Sequence, residues 1–199
     1  MNALRTLKLS AVAVGALAFA AGSQTALAQT AAVTATVTVQ NTVTLNVAQD
    51  MNFGTLALVP GAATPADDVV ANLTTAGVVS VTPAGGGAGS VVDNTAAAQA
   101  QIEVTNFADG ATINIDIQAV VDPTDGGTTL GFTAAAWLSS WNGGADTTET
   151  AGTPWTETLD AAFNGGTNTL DIGAEITSLG ATTNADGVYT GGFNVVFSY

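Results

Sequence analysis

The chain has no cysteine and no histidine, and of its 199 residues only Arg5 and Lys8 are basic. Each gap removes a class of chemistry. Without cysteine there is no disulfide framework, no thiolate nucleophile and no lipid-anchored N-terminal Cys. Without histidine, and with both basic residues at the extreme N-terminus, there is no Ser-His-Asp triad, no Schiff-base lysine and no phosphate clamp. Carboxylate pairs are the acid-base apparatus that remains, and no Asp-Thr-Gly or Asp-Ser-Gly element accompanies them. The expectation is a protein that is not an enzyme and carries no cofactor.

The two basic residues sit where an export signal needs them. Arg5 and Lys8 precede an apolar stretch from Leu9 to Ala21, and Ala26-Leu27-Ala28 reads as a small-x-small cleavage site, so residues 1–28 are expected to be a signal peptide and Gln29 the first residue of the exported chain. No later segment approaches the roughly 18 consecutive apolar residues of a membrane-spanning helix, so no membrane span is expected. All 16 acids lie after Ala28, so the exported side chains would carry −16 against the full chain's −14. Such a chain cannot neutralise phosphates, which argues against nucleic acid and anionic lipid as partners. The excess charge opposes compaction unless salt or bound cations screen it, making counter-cations expected company. Residues 29–199 suit one domain able to bury about 70% of its unfolded surface without cross-links.

What is present is alternation. Thr and Val recur with period two, Gly pairs punctuate, and no segment holds a 3.6-residue period, so the fold class is all-β. In Ala31 to Val39, Val33, Ala35, Val37 and Val39 face one way and Thr34, Thr36 and Thr38 the other. The alternation resumes with Val43, Leu45 and Val47, then from Phe53 to Val59 before Pro60-Gly61. Further strands are expected over Gly77–Thr82, Gln99–Phe107, Ala111–Val121, Thr129–Trp141, Leu170–Leu179 and Val188–Tyr199, with Ala108-Asp109-Gly110 joining two of them as a hairpin. Residues 83–90, rich in Gly, read as a flexible loop tip. About eight or nine strands separated by turn signals indicate a sandwich. The last strand, with Phe193, Val195, Phe197 and Tyr199 alternating, also has the look of a closing barrel strand, but sparse aromatics and the lack of repeated ten-residue strands argue against a barrel.

Three segments carry a family likeness: Leu45 to Leu56 around Asp50-Met51-Asn52-Phe53-Gly54-Thr55-Leu56, the middle stretch Gln101 to Ile117, and the ending Gly187-Val188-Tyr189-Thr190-Gly191-Gly192-Phe193-Asn194-Val195-Val196-Phe197-Ser198-Tyr199. Together they resemble the secreted bacterial family called domain of unknown function 4402, over nearly the whole exported chain. That family is similar to the spore-coat-protein-U and archaic chaperone-usher pilus subunits, which share an early x-Phe-Gly element and a C-terminal Gly-x-Tyr-x-Gly strand. The resemblance implies an immunoglobulin-like β-sandwich completed by a donor strand from the next subunit. It further implies self-association into a homopolymer, a periplasmic chaperone and an usher as partners, and passage through the periplasm to the cell surface or extracellular space. Its motif residues here are Phe53, Gly54, Gly187, Tyr189, Gly191 and Tyr199, and Thr30 to Val39 stands where the donor strand belongs.

Each candidate site has an ordinary alternative. Ala31 to Val39 could equally be a first strand paired within its own domain, since alternate apolar residues serve either role. Phe53-Gly54 reads as a core ring followed by a backbone turn that Gly permits, and Gly191-Gly192 as a bulge. Trp137, Trp141 and Trp155 could stack on sugar rings or fill the core. Asp122 and Asp125, with the Gly126-Gly127 backbone, could ligate calcium, although Asp-Pro-Thr-Asp-Gly-Gly is also a good turn. The leading expectation is a structural, pilin-like surface subunit that assembles by strand complementation. The alternatives are a secreted glycan- or calcium-binding module and a monomeric envelope protein.

Overall fold

A computed structural model describes residues 43–59, 68–83, 87–178 and 184–199. The expected signal peptide and the expected donor strand, with Val33, Ala35, Val37 and Val39, lie outside the described residues. Among the described residues thirteen strands follow one another: β1 (Thr44–Gln49), β2 (Thr55–Val59), β3 (Val69–Leu73), β4 (Val79–Pro83), β5 (Ala88–Asp93), β6 (Ala100–Thr105), β7 (Thr112–Thr124), β8 (Leu130–Phe132), β9 (Trp137–Trp141), β10 (Thr147–Glu149), β11 (Trp155–Thr158), β12 (Asn168–Ser178) and β13 (Thr190–Ser198). The fold is an all-β sandwich of antiparallel sheets, and none of the described sheets closes into a barrel.

β12 is the spine of the larger sheet. Its first half lies between β6 and β9, and its second half between β3 and β8. β1, β4 and β10 extend that sheet outward from β6, β3 and β9. The second sheet runs β11-β7-β13, and β2 with β5 forms a separate ribbon. The core lies between the two main sheets, where Ile113, Ile115 and Ile117 of β7 meet Ala100, Ile102 and Val104 of β6 and Leu170, Ile172 and Ala174 of β12. All nine are buried.

That arrangement overturns the expected hairpin between Gln99–Phe107 and Ala111–Val121. β6 already has β1 on one side and β12 on the other, so neither edge is open to β7. The Ala108-Asp109-Gly110 turn instead carries the chain from one sheet to the other, held by Gly110 N–H to the Leu159 carbonyl (2.9 Å) and Leu159 N–H to the Ala111 carbonyl (2.9 Å). The two apolar rows then face each other across the core. In a hairpin they would lie side by side on one surface and need a third layer to cover them.

Two other expectations change in detail. Thr129–Trp141 is two strands, because a turn closed by Ala136 N–H on the Thr133 carbonyl (3.1 Å) separates β8 from β9. The Gly-rich stretch supplies the start of β5, since Ala88, Gly89 and Ser90 are strand residues paired with β2. Gly89 has a packing reason to be Gly: a Cβ there would sit 2.6 Å from Cγ1 of both Val69 and Val81.

Candidate functional site

Register fixes which way the residues of edge strand β1 face. Leu45 is opposite Val104 and Val47 opposite Ile102, so their side chains share the core-facing side of the sheet. Yet Leu45 is 43% and Val47 63% exposed, whereas Val104 and Ile102 are 0% and 7%. Beyond β1 no further strand is paired among the described residues.

β13 is the corresponding edge of the second sheet. It pairs with β7 on one side only among the described residues, with Val195 opposite Ile117 and Phe197 opposite Ile115. These inward residues remain half-buried although they pack against the main core. Phe193 meets Trp137 edge-on at 4.7 Å. The strand's pairing with β7 is irregular on either side of Gly192, where two residues of β7 oppose one of β13. Gly191 leaves no room for a side chain, because a Cβ there would lie 2.5 Å from the Val121 carbonyl oxygen.

Three of the other edge strands of the two main sheets differ. β4 ends on Pro83, which has no N–H to offer a new strand. β10 carries Glu149 opposite Trp137, and β11 carries Glu157 opposite Ile113, so both put a carboxylate on the inward face. Inward-pointing charge and proline are two devices by which sheet edges resist pairing with another chain. β1 (Thr-Leu-Asn-Val-Ala-Gln) and β13 (Thr-Gly-Gly-Phe-Asn-Val-Val-Phe-Ser) have neither, in a chain with 16 acids.

Sequence reasoning missed Glu149 and Glu157. Glu149 is buried and accepts a hydrogen bond from Ser139 Oγ at 2.8 Å. Burial, and then the negative charge of Glu149, push the Glu157 carboxyl above its ordinary value. The spacing of Trp155 and Glu157 places them on one face, but nothing in a four-residue strand says that this face is inward.

The remaining candidate residues do local work. Phe53 is half-buried between the two apolar clusters, and Gly54 takes φ +72° beneath the Asp93 carbonyl, 2.5 Å from where a Cβ would be. Asp122 Oδ1 accepts the Phe132 N–H at 2.8 Å. Asp125 Oδ1 accepts N–H bonds from Thr128 (2.7 Å) and Gly127 (2.8 Å), which hold its carboxyl below the usual range. The described residues contain no group of three or more His, Cys, Asp or Glu side chains arranged to hold a metal. Tyr189 bridges two loops, sharing a hydrogen bond with Thr128 Oγ1 and donating to the Ala185 carbonyl (3.0 Å), while Gly187 lies beside Asp125. Tyr199 is 53% exposed just past β13. Trp137 is fully buried and stacked on Phe132, and Trp141 Nε1 donates to the Thr158 carbonyl at 3.1 Å. Trp137 and Trp141 thus face the core, and Trp155 is half-buried against it.

No protein-family model matches the chain, and no curated protein or solved structure gives a significant match. No helix among the described residues is long and apolar enough to cross a membrane.

Proposed function

We propose that the chain is a structural cell-surface protein, a pilin-like subunit that assembles by strand complementation into filaments or a surface layer. The observation that carries this reading is the pair of unguarded edges. β1 turns Leu45 and Val47 toward the core side yet leaves them open to solvent, and neither β1 nor β13 carries a charge or proline. An extended segment with alternating apolar residues would satisfy such an edge through main-chain hydrogen bonds while its side chains cover the exposed apolar row. Residues 30–39 have that pattern, with Val33, Ala35, Val37 and Val39 on one side and no charged residue. The resemblance to the domain of unknown function 4402 family points the same way. It adds export through the periplasm, an immunoglobulin-like topology, and a chaperone and usher as assembly partners.

A glycan-binding module has less support, because Trp137 and Trp141 face the core. So does a calcium site at Asp122 and Asp125, whose carboxylates already accept backbone N–H bonds from Phe132 and Thr128. Without histidine, cysteine or a basic residue beyond Lys8, the proposed role is non-catalytic.

Deleting Gln29 to Val39 tests the reading. The truncated protein is expected to melt cooperatively as a monomer and to form no filaments by electron microscopy, while the exported full-length chain forms them. A truncated chain that unfolds would assign the segment to its own domain and remove the intermolecular role.

A further inference from the structure

The sequence contains two copies of the same turn, Asn142-Gly143-Gly144 and Asn164-Gly165-Gly166. Asn followed by Gly is the pairing in which a backbone amide nitrogen most readily reaches the preceding side chain, because Gly has no Cβ to obstruct the approach. Both asparagines are left-handed, at φ +53° and +41°, and both are followed by a left-handed Gly, at φ +69° and +67°. Neither Gly143 nor Gly165 has any atom within 4 Å of where a Cβ would be, so the two turns are equally uncrowded.

The two carboxamides are held very differently. Asn142 Oδ1 accepts the Thr169 N–H at 2.9 Å, and its Nδ2 donates to Asn168 Oδ1 at 3.3 Å. Its own N–H donates to the Thr169 carbonyl at 2.8 Å. The anchor does not yield easily, because Asn168 is fully buried and is tied to Asp160 by bonds of 2.7 and 2.8 Å. Asn164 is exposed on the 3-10 turn Phe163–Gly165, and its carboxamide makes no hydrogen bond among the described residues.

We propose that Asn164 is a site of spontaneous amide-to-acid conversion in the folded protein, and that the hydrogen-bonded Asn142 is protected from the same reaction. The Gly165 nitrogen attacks Cγ of Asn164. A Gly165 N–Cγ bond forms, the Cγ–Nδ2 bond breaks, and Nδ2 leaves as ammonia with the proton from the Gly165 amide. Water then opens the cyclic imide at either carbonyl, leaving aspartate or isoaspartate. The step uses no oxidant or reductant, and it adds one negative charge to a chain whose basic side chains are Arg5 and Lys8 alone. At Asn142 the ring can close only after the bonds to Asn168 and Thr169 break. Their loss slows the reaction by roughly tenfold or more, given the usual strength of two or three such bonds.

The test is to incubate the folded protein at mildly alkaline pH, denature it, and digest it with a protease that cuts after aromatic residues. Trp141 and Phe163 immediately precede the two asparagines, so each begins its own peptide. Mass spectrometry is expected to show amide-to-acid conversion at Asn164 at least about tenfold faster than at Asn142. The same incubation in denaturant should bring the two rates within a factor of about two, because only the tethers distinguish them. Equal rates in the folded protein, or no conversion at Asn164 over a period that converts both sites in denaturant, would overturn the proposal. So would a rate difference that survives unfolding.

Discussion

Two flanks of the sandwich handle their margins in opposite ways. On the β9-β10-β11 flank the inward residues at the margin include Glu149 and Glu157, yet Glu149 is buried and Trp137 beside it is fully enclosed. On the β1 and β13 flank the inward residues are Leu45, Val47, Val195 and Phe197, and these apolar groups are the ones left exposed or half-buried. Chemistry and burial are thus inverted between the flanks. A charge tolerated at a buried edge discourages a new strand, and a row of exposed valine and leucine on an uncharged edge invites one. On the function proposed above, the open flank is the surface that another strand covers.

The largest expected effects come from treating the flanks alike. Trp137→Ala removes the ring that Phe132 and Phe193 pack against, and should cost about 3–5 kcal/mol in denaturant unfolding. Val47→Lys gives β1 the inward charge that β10 and β11 already have. Because Val47 is mostly exposed, the folded monomer should lose no more than about 1 kcal/mol, while assembly measured by sedimentation should be lost. A Val47→Lys chain that assembles normally would make β1 an ordinary edge and break the contrast.

The contrast also marks what could be read from sequence. The period-two rows were legible because one face of each strand is buried, and the odd-numbered isoleucines of β7 are all in the core. Pairing was less legible, since Ala108-Asp109-Gly110 is as good a turn between sheets as within one. What decides is that both edges of β6 are taken by residues more than sixty positions later or fifty earlier. The inward aspect of Glu149 and Glu157 was hidden for a similar reason: strands of three and four residues are too short to declare a face. The close approaches were hidden too. A Cβ at Gly173 would lie 2.2 Å from the Leu73 carbonyl oxygen, a restriction that exists only once β3 has docked.

A smaller effect sharpens the comparison on the β13 side. Between the pairs Gln118–Asn194 and Val121–Gly192, two residues of β7 oppose one of β13, and the first of the two, Ala119, is left-handed at φ +49°. Bulges of this kind ordinarily place Gly at that position. Ala119→Gly should relieve about 1–2 kcal/mol of strain against roughly 0.4–1 kcal/mol of added unfolded-state freedom. The expected net is a stabilisation of about 0.5–1 kcal/mol, readable as a raised denaturation midpoint. Ala48→Gly on β1, where φ is not left-handed, should do the reverse. If both variants lose stability, the bulge is not strained.

The smallest expected effect probes the acid pair on the closed flank. Burial and the charge of Glu149 raise the Glu157 carboxyl above 4.5, so its ionised form is disfavoured in the fold relative to the unfolded chain. Stability should therefore rise as pH falls through the raised value, with the gain complete below about 4.5. Asp93 and Asp125 act in a separate window. Hydrogen bonds from Thr95, and from Thr128 and Gly127, lower them below 3.8, so their stabilising contribution is full above that value and lost only at lower pH. The melting temperature should then peak in mildly acidic solution, above the aspartate window and below neutrality. Glu157→Gln removes the group responsible for the rise. At neutral pH the variant should be the more stable by less than about 1 kcal/mol after solvent screening, and between neutrality and pH 4.5 its profile should be flatter than the wild type's. Measuring both in high salt separates this local term from the repulsion among the remaining carboxylates, which salt screens and the substitution barely alters. Parallel profiles would mean that Glu157 ionises as freely in the fold as in water, leaving β11 without the half-buried inward charge that sets the closed flank apart.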